Sequence, residues 1–298
     1  MRAKGSPFIN EVRAAIRVRH YSIRTEKTYV DWILRFIRFN NLRHPGEMGE
    51  QEVVSFLTHL AVDRRVAANT QNQALSALSF LYQAVLKRPL GNLKKMVRAK
   101  QPSRLPLVLT IDEVSRVLKH LDGAYWLAGC LMYGSGLRLM ETLRLRVKDL
   151  DFDHHAVIVR GGKGGNDRVV TLPDELATPL RRHLQSVKLY FEKDLADGFG
   201  EVHLPYALSR KYPGAGRDWA WQFVLPAARR SIDPRSGVER RHHIDASALQ
   251  RAMKKAVRLA AIEKPASCHT LRHSFATHVI GRGGAAVRSP LGAALKGN

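Results

Sequence analysis

Residues 268–278 read Cys268-His269-Thr270-Leu271-Arg272-His273-Ser274-Phe275-Ala276-Thr277-His278. Leu271, Phe275 and Val279 recur every four residues, which puts them on one face of a helix and predicts that this face enters a core. His269 and Arg272 are three apart and so share a neighbouring face. A fixed guanidinium beside a proton-carrying imidazole suits the holding and protonation of a phosphate. The same pair would serve equally at an ordinary helix start, solvated or bonded to backbone groups. The rest of the chain must decide.

The chain has 298 residues, enough for two cores, and its 45% hydrophobic content is that of a globular protein. Its 49 Lys and Arg against 26 Asp and Glu leave a formal charge of +23. So large a surplus opposes compaction unless the partner is a polyanion. Nucleic acid leads an anionic membrane surface as that partner. No apolar run approaches the roughly 18 residues of a membrane span. No apolar signal core follows Met1-Arg2-Ala3-Lys4-Gly5-Ser6-Pro7, so no export and a cytoplasmic location are expected. Cys130 and Cys268 lie in apolar or helical contexts without metal-ligand spacing, which fits a reducing compartment.

The first ninety or so residues carry helical periodicity at 8–19, 22–40 and 51–63, and a fourth helix that Asn69 or Thr70 would cap. Tyr29, Trp32, Ile33, Phe36 and Ile37 form one apolar stripe, whose spacing is that of a buried face more than of a base-stacking platform. Four helices with short connections predict a small bundle over residues 1–93. Residues 94–109 hold Lys94, Lys95, Arg98, Lys100 and Arg104 with Pro102 and Pro106, and read as an extended basic linker. Two domains so joined could close around a duplex.

Residues 110–298 form the second domain. Thr110-Ile111-Asp112-Glu113 is a capping-box pattern, and the apolar run 125–133 predicts a buried helix. It leads into Gly134-Ser135-Gly136-Leu137-Arg138. An arginine beside an apolar helix is costly to bury without an anion, and either Glu141 or a phosphate would serve Arg138. Ala156–Val159 and Arg168–Leu172 predict a hairpin with a glycine-rich tip carrying Lys163. No Lys-Ser/Thr pair opens a helix there, which excludes a nucleotide-hydrolase phosphate loop. Alone, Lys163 would be a solvated charge.

Between 203 and 243, Tyr206, Tyr212, Trp219, Trp221 and Phe223 alternate with cations that include Lys211, and four prolines forbid one long helix. Such a segment suits stacking on unpaired bases, or else docks its tryptophans on the domain. His242 and His243 lack a third ligand, so no metal is expected. Residues 247–262 predict a basic helix whose Arg251, Lys254, Lys255 and Arg258 face outward, toward phosphates. The fold class is mainly α with a small β-hairpin sheet, in two domains.

In this order, Gly-Leu-Arg-x-x-Glu, Gly-Lys-Gly and His-x-Leu-Arg-His resemble the tyrosine site-specific recombinases, the phage-integrase family. The segment with Lys211-Tyr212-Pro213, Asp218-Trp219-Ala220-Trp221-Gln222, Asp233-Pro234-Arg235 and Arg241-His242-His243 is similar to the insert of integron integrases. The resemblance implies a core-binding domain, a basic strap and a catalytic domain. It implies insertion and excision of gene cassettes on double-stranded and folded single-stranded DNA sites, several copies on one site, no cofactor, and residence on the bacterial nucleoid. Arg138 and Arg272 would clamp the scissile phosphate, Lys163 would protonate the leaving 5′ oxygen, His269 would assist proton transfer, and Glu141 would support the site. Lys211, Trp219, Trp221, Arg241, His242 and His243 would contact DNA from the insert. Asn166 stands where the family often has a second basic residue.

One departure bears on activity. The family attacks with a tyrosine about thirty residues beyond its His-x-x-Arg motif, yet no tyrosine follows Tyr212 here, and the second histidine of the family is missing too. Residues 281–291 resemble the tail that follows the nucleophile, and Ala276-Thr277-His278-Val279 lines up with its Tyr-Thr-His-Val. An internal deletion joining two Thr-His sites is expected. Such a chain would bind DNA and not cut it alone. Three outcomes stay open: a recombinase subunit, a binding-only remnant that competes for sites, or a subunit that takes a nucleophile in trans. Loss of covering helices should also bare core surface, at about 1.5–3 kcal/mol for each large side chain.

Overall fold

A computed structural model of the chain describes residues 6–91, 105–161, 166–204, 206–233, 236–280 and 289–296, with backbone alone at 206 and 207. It divides into two compact units, 1–104 and 105–298.

In the first unit, Pro7 opens helix α1 (Pro7–Val18), a position where its missing N–H costs nothing. Helix α2 (Ile23–Phe39) is capped by Ser22, whose Oγ accepts from the Thr25 N–H at 3.0 Å. Helices α3 (Glu50–Val62) and α4 (Ala68–Phe80) follow, and α4 runs on into a π-helical turn, Leu81–Val85. The aromatic stripe of α2 is core: Trp32, Ile33 and Phe36 are buried, and the Trp32 indole donates to Gln73 Oε1 at 3.1 Å. One expectation needs correction. Neither Asn69 nor Thr70 caps α4. The chain turns at Ala67, whose carbonyl accepts from Thr70 and Gln71, and no side-chain cap forms. Burial of Gln71, Ala74, Leu75 and Leu78 sets where this helix begins.

In the second unit, helix α5 (Ile111–Lys119) carries the expected capping box: Thr110 Oγ1 accepts from the Glu113 N–H and Glu113 Oε2 from the Thr110 N–H. Helix α6 (Gly123–Gly134) is buried all round from Leu127 onward, and α7 (Leu139–Arg144) follows a short loop. Strands β1 (Leu150–Asp151), β2 (Ala156–Val159) and β3 (Arg168–Thr171) form an antiparallel sheet in which Val157 pairs with Val170 and Val159 with Arg168. Helix α8 (Asp174–Ala196) is a long element to which the sequence reading assigns nothing. Pro179 inside it removes a helical hydrogen bond and hides the periodicity, but buried Leu176, Leu180, Val187 and Phe191 hold the helix regardless.

The segment 203–243 is irregular: a short helix α9 (Tyr206–Lys211), two 3₁₀ turns, and a ribbon of β4 (Ser231–Ile232) with β5 (Glu239–Arg240). Asp245 caps α10 (Ala246–Leu259), which buries Leu249, Met253 and Val257 and exposes Arg251, Lys254, Lys255 and Arg258. The decisive stretch is helix α11 (Cys268–Ile280), packed on α6. A last helix, α12 (Leu291–Lys296), packs Leu291 and Ala294 against α5 and α6.

The buried face of α11 differs from the expected stripe. Leu271 is buried, but its buried neighbours are Thr270 and Ser274, while Phe275 and Val279 are half-buried and Ile280 is 77% exposed. Ser274 explains the rotation: its Oγ donates to the Thr270 carbonyl and accepts from the buried Leu109 N–H at 2.9 Å. No helix among the described residues is long and apolar enough to cross a membrane.

Candidate active site

The site grows from the loop between α6 and α7. Gly136 adopts φ +62°, a left-handed conformation that turns its carbonyl toward Arg272, whose Nη1 donates to it. Two residues on, Arg138 stands at the N-cap of α7. Its backbone N–H donates to Glu141 Oε2 at 2.9 Å and its Nη1 to Oε1 at 2.7 Å. Arg168, the first residue of β3, forks onto the same carboxylate, Nη1 to Oε1 at 3.0 Å and Nη2 to Oε2 at 2.6 Å. Arg272 comes from α11, with Nη1 3.8 Å from Glu141 Oε2. Three guanidinium groups from three elements thus meet one carboxylate whose side chain is 9% exposed.

The electrostatics follow. Burial alone would raise the Glu141 carboxyl, but the Arg168 and Arg138 hydrogen bonds outweigh it and hold it at about 2. Burial, and then the charge of Arg138, lower Arg272, while the Glu141 bond raises Arg168. The cluster keeps two positive charges in excess and stays about a third open to solvent at each arginine. Such a place takes an anion, and paired forks suit phosphate.

His269 is exposed on α11, three residues before Arg272. Lys163 lies outside the described residues. The stems beside it are pinned: Arg160 Nε donates to Asp149 Oδ1 and the Gly161 N–H to Asp167 Oδ1, each at 2.8 Å.

The insert residues separate into groups. Trp219 and Trp221 sit in a 3₁₀ turn capped by Asp218, and both are half-buried. The Trp219 ring lies 5.7 Å from that of Phe191 on α8, and Lys148 Nζ lies 2.8 Å above the Trp221 ring. His242 and His243 have ring centroids 4.1 Å apart and both pack on Phe223. The guanidinium of Arg146 lies 3.7 Å from the same ring and donates to the carbonyls of Trp221 and His203. Burial, then nearby cations, lower His242, and burial takes His243 down to about 4. Arg241 turns the other way, with Nε and Nη2 on Asp194 of α8 and Nη1 on the carbonyls of Ala227 and Ala228. Lys211 is exposed at the end of α9. No cluster of metal-binding side chains occurs among the described residues.

Two residues of this architecture escaped the sequence reading, Arg168 and Arg146. For Arg168 a signal existed. It pairs across the sheet with Val159, and directly opposed residues share a face. A cation facing the side of a buried valine needs an anion. Arg146 left no such signal.

Residues 8–92 match the family model of the phage integrase N-terminal SAM-like domain, and residues 108–288 match that of the phage integrase family. Integrase/recombinase proteins from Escherichia coli and Pseudomonas aeruginosa are each 47% identical, over 96% of this chain and 93% of the relative. The tyrosine recombinase XerA of Thermococcus kodakarensis is 30% identical over 60% of this chain and 61% of its own. A lambda integrase dimer bound to a COC′ core site superposes with a TM-score of 0.59 at 15% identity, covering 93% of this chain and 86% of that one. The Tn1549 transposon integrase with transposon right-end DNA gives 0.59 at 17% identity, covering 96% and 90%. These two likenesses concern the fold, which is the two-domain fold of tyrosine recombinases. The chain belongs to the phage integrase family of tyrosine recombinases, whose chemistry is site-specific DNA recombination.

Proposed function

We propose that this chain is a recombinase subunit of the integron integrase type, which binds gene-cassette attachment sites and cannot cut DNA alone. The observation that carries the reading is the meeting of Arg138, Arg168 and Arg272 at Glu141, which leaves a net positive pocket. Arg138 and Arg272 would hold the non-bridging oxygens of the scissile phosphate and stabilise the charge of its pentacoordinate transition state. His269 would assist proton transfer, and Lys163 would protonate the leaving 5′ oxygen.

The attacking tyrosine is what this copy lacks. None follows Tyr212. The Escherichia coli relative aligns over 313 positions whereas this chain has 298 residues in all, so some positions of the relative have no counterpart here. Half-buried Phe275 and Val279 and exposed Ile280 fit a deletion after His278 that removed covering helices with the nucleophile and second histidine.

On this reading residues 1–93 are the core-binding domain, 94–109 a basic strap and 110–298 the catalytic domain. Lys211, Trp219, Trp221, His242 and His243 would meet the bases of folded single-strand sites, while Arg241 holds the insert in place. Lambda integrase is a dimer on a core site and a tetramer on a Holliday junction, and several copies of this chain on one DNA site are part of the proposal, as is a cytoplasmic place on the nucleoid. The missing tyrosine equally favours a second reading, a binding-only subunit that competes for sites or poisons mixed assemblies.

The test is a nicked suicide duplex. The chain alone should shift the DNA in a native gel and leave no denaturation-resistant protein–DNA band. Such a band would overturn the loss of cleavage, and no shift would overturn DNA binding. Adding an intact relative then separates the two readings: adduct formation restored through this chain's phosphate site supports the recombinase subunit, and adduct formation suppressed supports the competitor.

A further inference from the structure

A carboxylate offers about four lone-pair positions. At Glu141 they are filled by two arginines: Oε1 accepts from Arg138 Nη1 and Arg168 Nη1, and Oε2 from the Arg138 N–H and Arg168 Nη2. Arg272 is left 3.8 Å away, beyond hydrogen bonding, with its Nη1 on the Gly136 carbonyl. Arg168 reaches the carboxylate from β3, where its pairing with buried Val159 fixes the direction of approach.

We propose that Arg168 is a positioning residue of the phosphate site: its fork on both oxygens of Glu141 keeps that carboxylate from closing onto Arg272, so that Arg138 and Arg272 remain open to a phosphate. The inference rests on the reading of Arg138 and Arg272 as the phosphate clamp. Without Arg168, Glu141 has free acceptors within a small rotation of Arg272, and the opposite charges draw together. The site then holds its own internal anion. Its net charge drops by one, and an incoming phosphate must displace a carboxylate instead of meeting two waiting guanidinium groups.

The test uses inorganic phosphate as the probe, titrated into the full chain while the Nε–H signals of Arg138 and Arg272 are followed by NMR, with thermal melts alongside. R168M should weaken phosphate binding about tenfold, within the range of coupling in one ion-pair network. R168M/E141Q should regain the wild-type affinity while melting no higher than R168M. A purely structural Arg168 would not give that recovery. Should R168M fail to fold, R168K keeps the charge but loses the fork, and it should bind phosphate several-fold more weakly, again with recovery in R168K/E141Q. Wild-type affinity in the folded single variants, or no recovery in the doubles, overturns the proposal. R272Q guards the reading beneath it: unchanged phosphate binding there removes the clamp itself, and the proposal falls with it.

Discussion

Arg241 lays its Nε 2.5 Å and its Nη2 2.8 Å from the two carboxylate oxygens of Asp194, tying the insert to the last turn of α8. Asp194 is 2% exposed, and Arg230 joins it from the same segment at 2.9 Å. Burial would raise its carboxyl, and the two arginines more than reverse that. An irregular segment with a small apolar cluster of its own, centred on Val202, Leu204 and Phe223, needs such an anchor.

Removing the anchor has a definite cost. Asp194→Ala leaves Arg241 with carbonyl partners alone and Arg230 with Asp197 and Glu239, and should lower unfolding free energy by about 3 kcal/mol. Asp194→Ala with Arg241→Met removes both partners and should recover part of that loss. Urea denaturation followed by far-UV circular dichroism reads both values. A D194A variant as stable as wild type would contradict the anchoring.

The histidines beside Phe223 predict an acid limit. His243 titrates at about 4 in the folded chain against an ordinary 6.5, because burial penalises its charged form. On acidification the unfolded chain therefore binds the proton first. Its contribution to stability is complete above about 6.5 and is lost as pH falls toward about 4. The lowered His242 adds to the same trend, and Glu141 adds its own loss only below its ordinary 4.5, toward about 2. A His243→Asn variant should show a flatter melting temperature between pH 6.5 and 4 than the wild type. An unchanged slope would show that His243 is not the group responsible.

Gly136 couples the core to the arginine site. It has φ +62°, and a methyl group there would stand 2.5 Å from the Phe275 ring of α11. Gly136→Ala must strain the backbone and push α11 away from the loop that receives Arg272. The expected result is a loss of about 2 kcal/mol in stability, within the range of backbone strain and overpacking. Phosphate affinity should fall with it. Gly161, also left-handed at φ +57° but with nothing within 4 Å of an added methyl group among the described residues, is the control: Gly161→Ala should strain the backbone and leave phosphate affinity alone.

How far the sequence reached depends on where each residue's partner lies. Arg138 and Glu141 are three apart on one helix start, so their pairing is visible in the spacing. Arg272 shows through the helix that carries it, although Ser274 turns that helix by a bond to Leu109 that no periodicity contains. Arg168 reaches back 27 residues to Glu141, and Arg241 reaches back 47 to Asp194. In a chain of net charge +23, a run such as Arg240-Arg241-His242-His243 looks like a nucleic-acid surface whichever cations are already paired. Tertiary structure alone separates the committed arginines from the open ones. Helix α8 was hidden for another reason, since one proline outweighs four apolar residues in a local pattern and not in a packed core.

If phosphate contacts come from open cations, DNA affinity should depend on Lys254 and Arg258, exposed on α10, and not directly on Arg241, committed to Asp194. Binding to a short labelled duplex should weaken about a hundredfold between roughly 50 and 200 mM salt, as counterions compete for the phosphates. Lys254→Ala and Arg258→Ala should each lower the salt slope by about one, uniformly across DNA sequences. Arg241→Gln, which removes the charge and breaks the fork on Asp194, should leave the slope unchanged while lowering the melting temperature. Fluorescence anisotropy over a salt series measures all three slopes. A slope that falls in the Arg241 variant and holds in the α10 variants would reverse the assignment of open and committed cations, and would return Arg241 to the DNA surface.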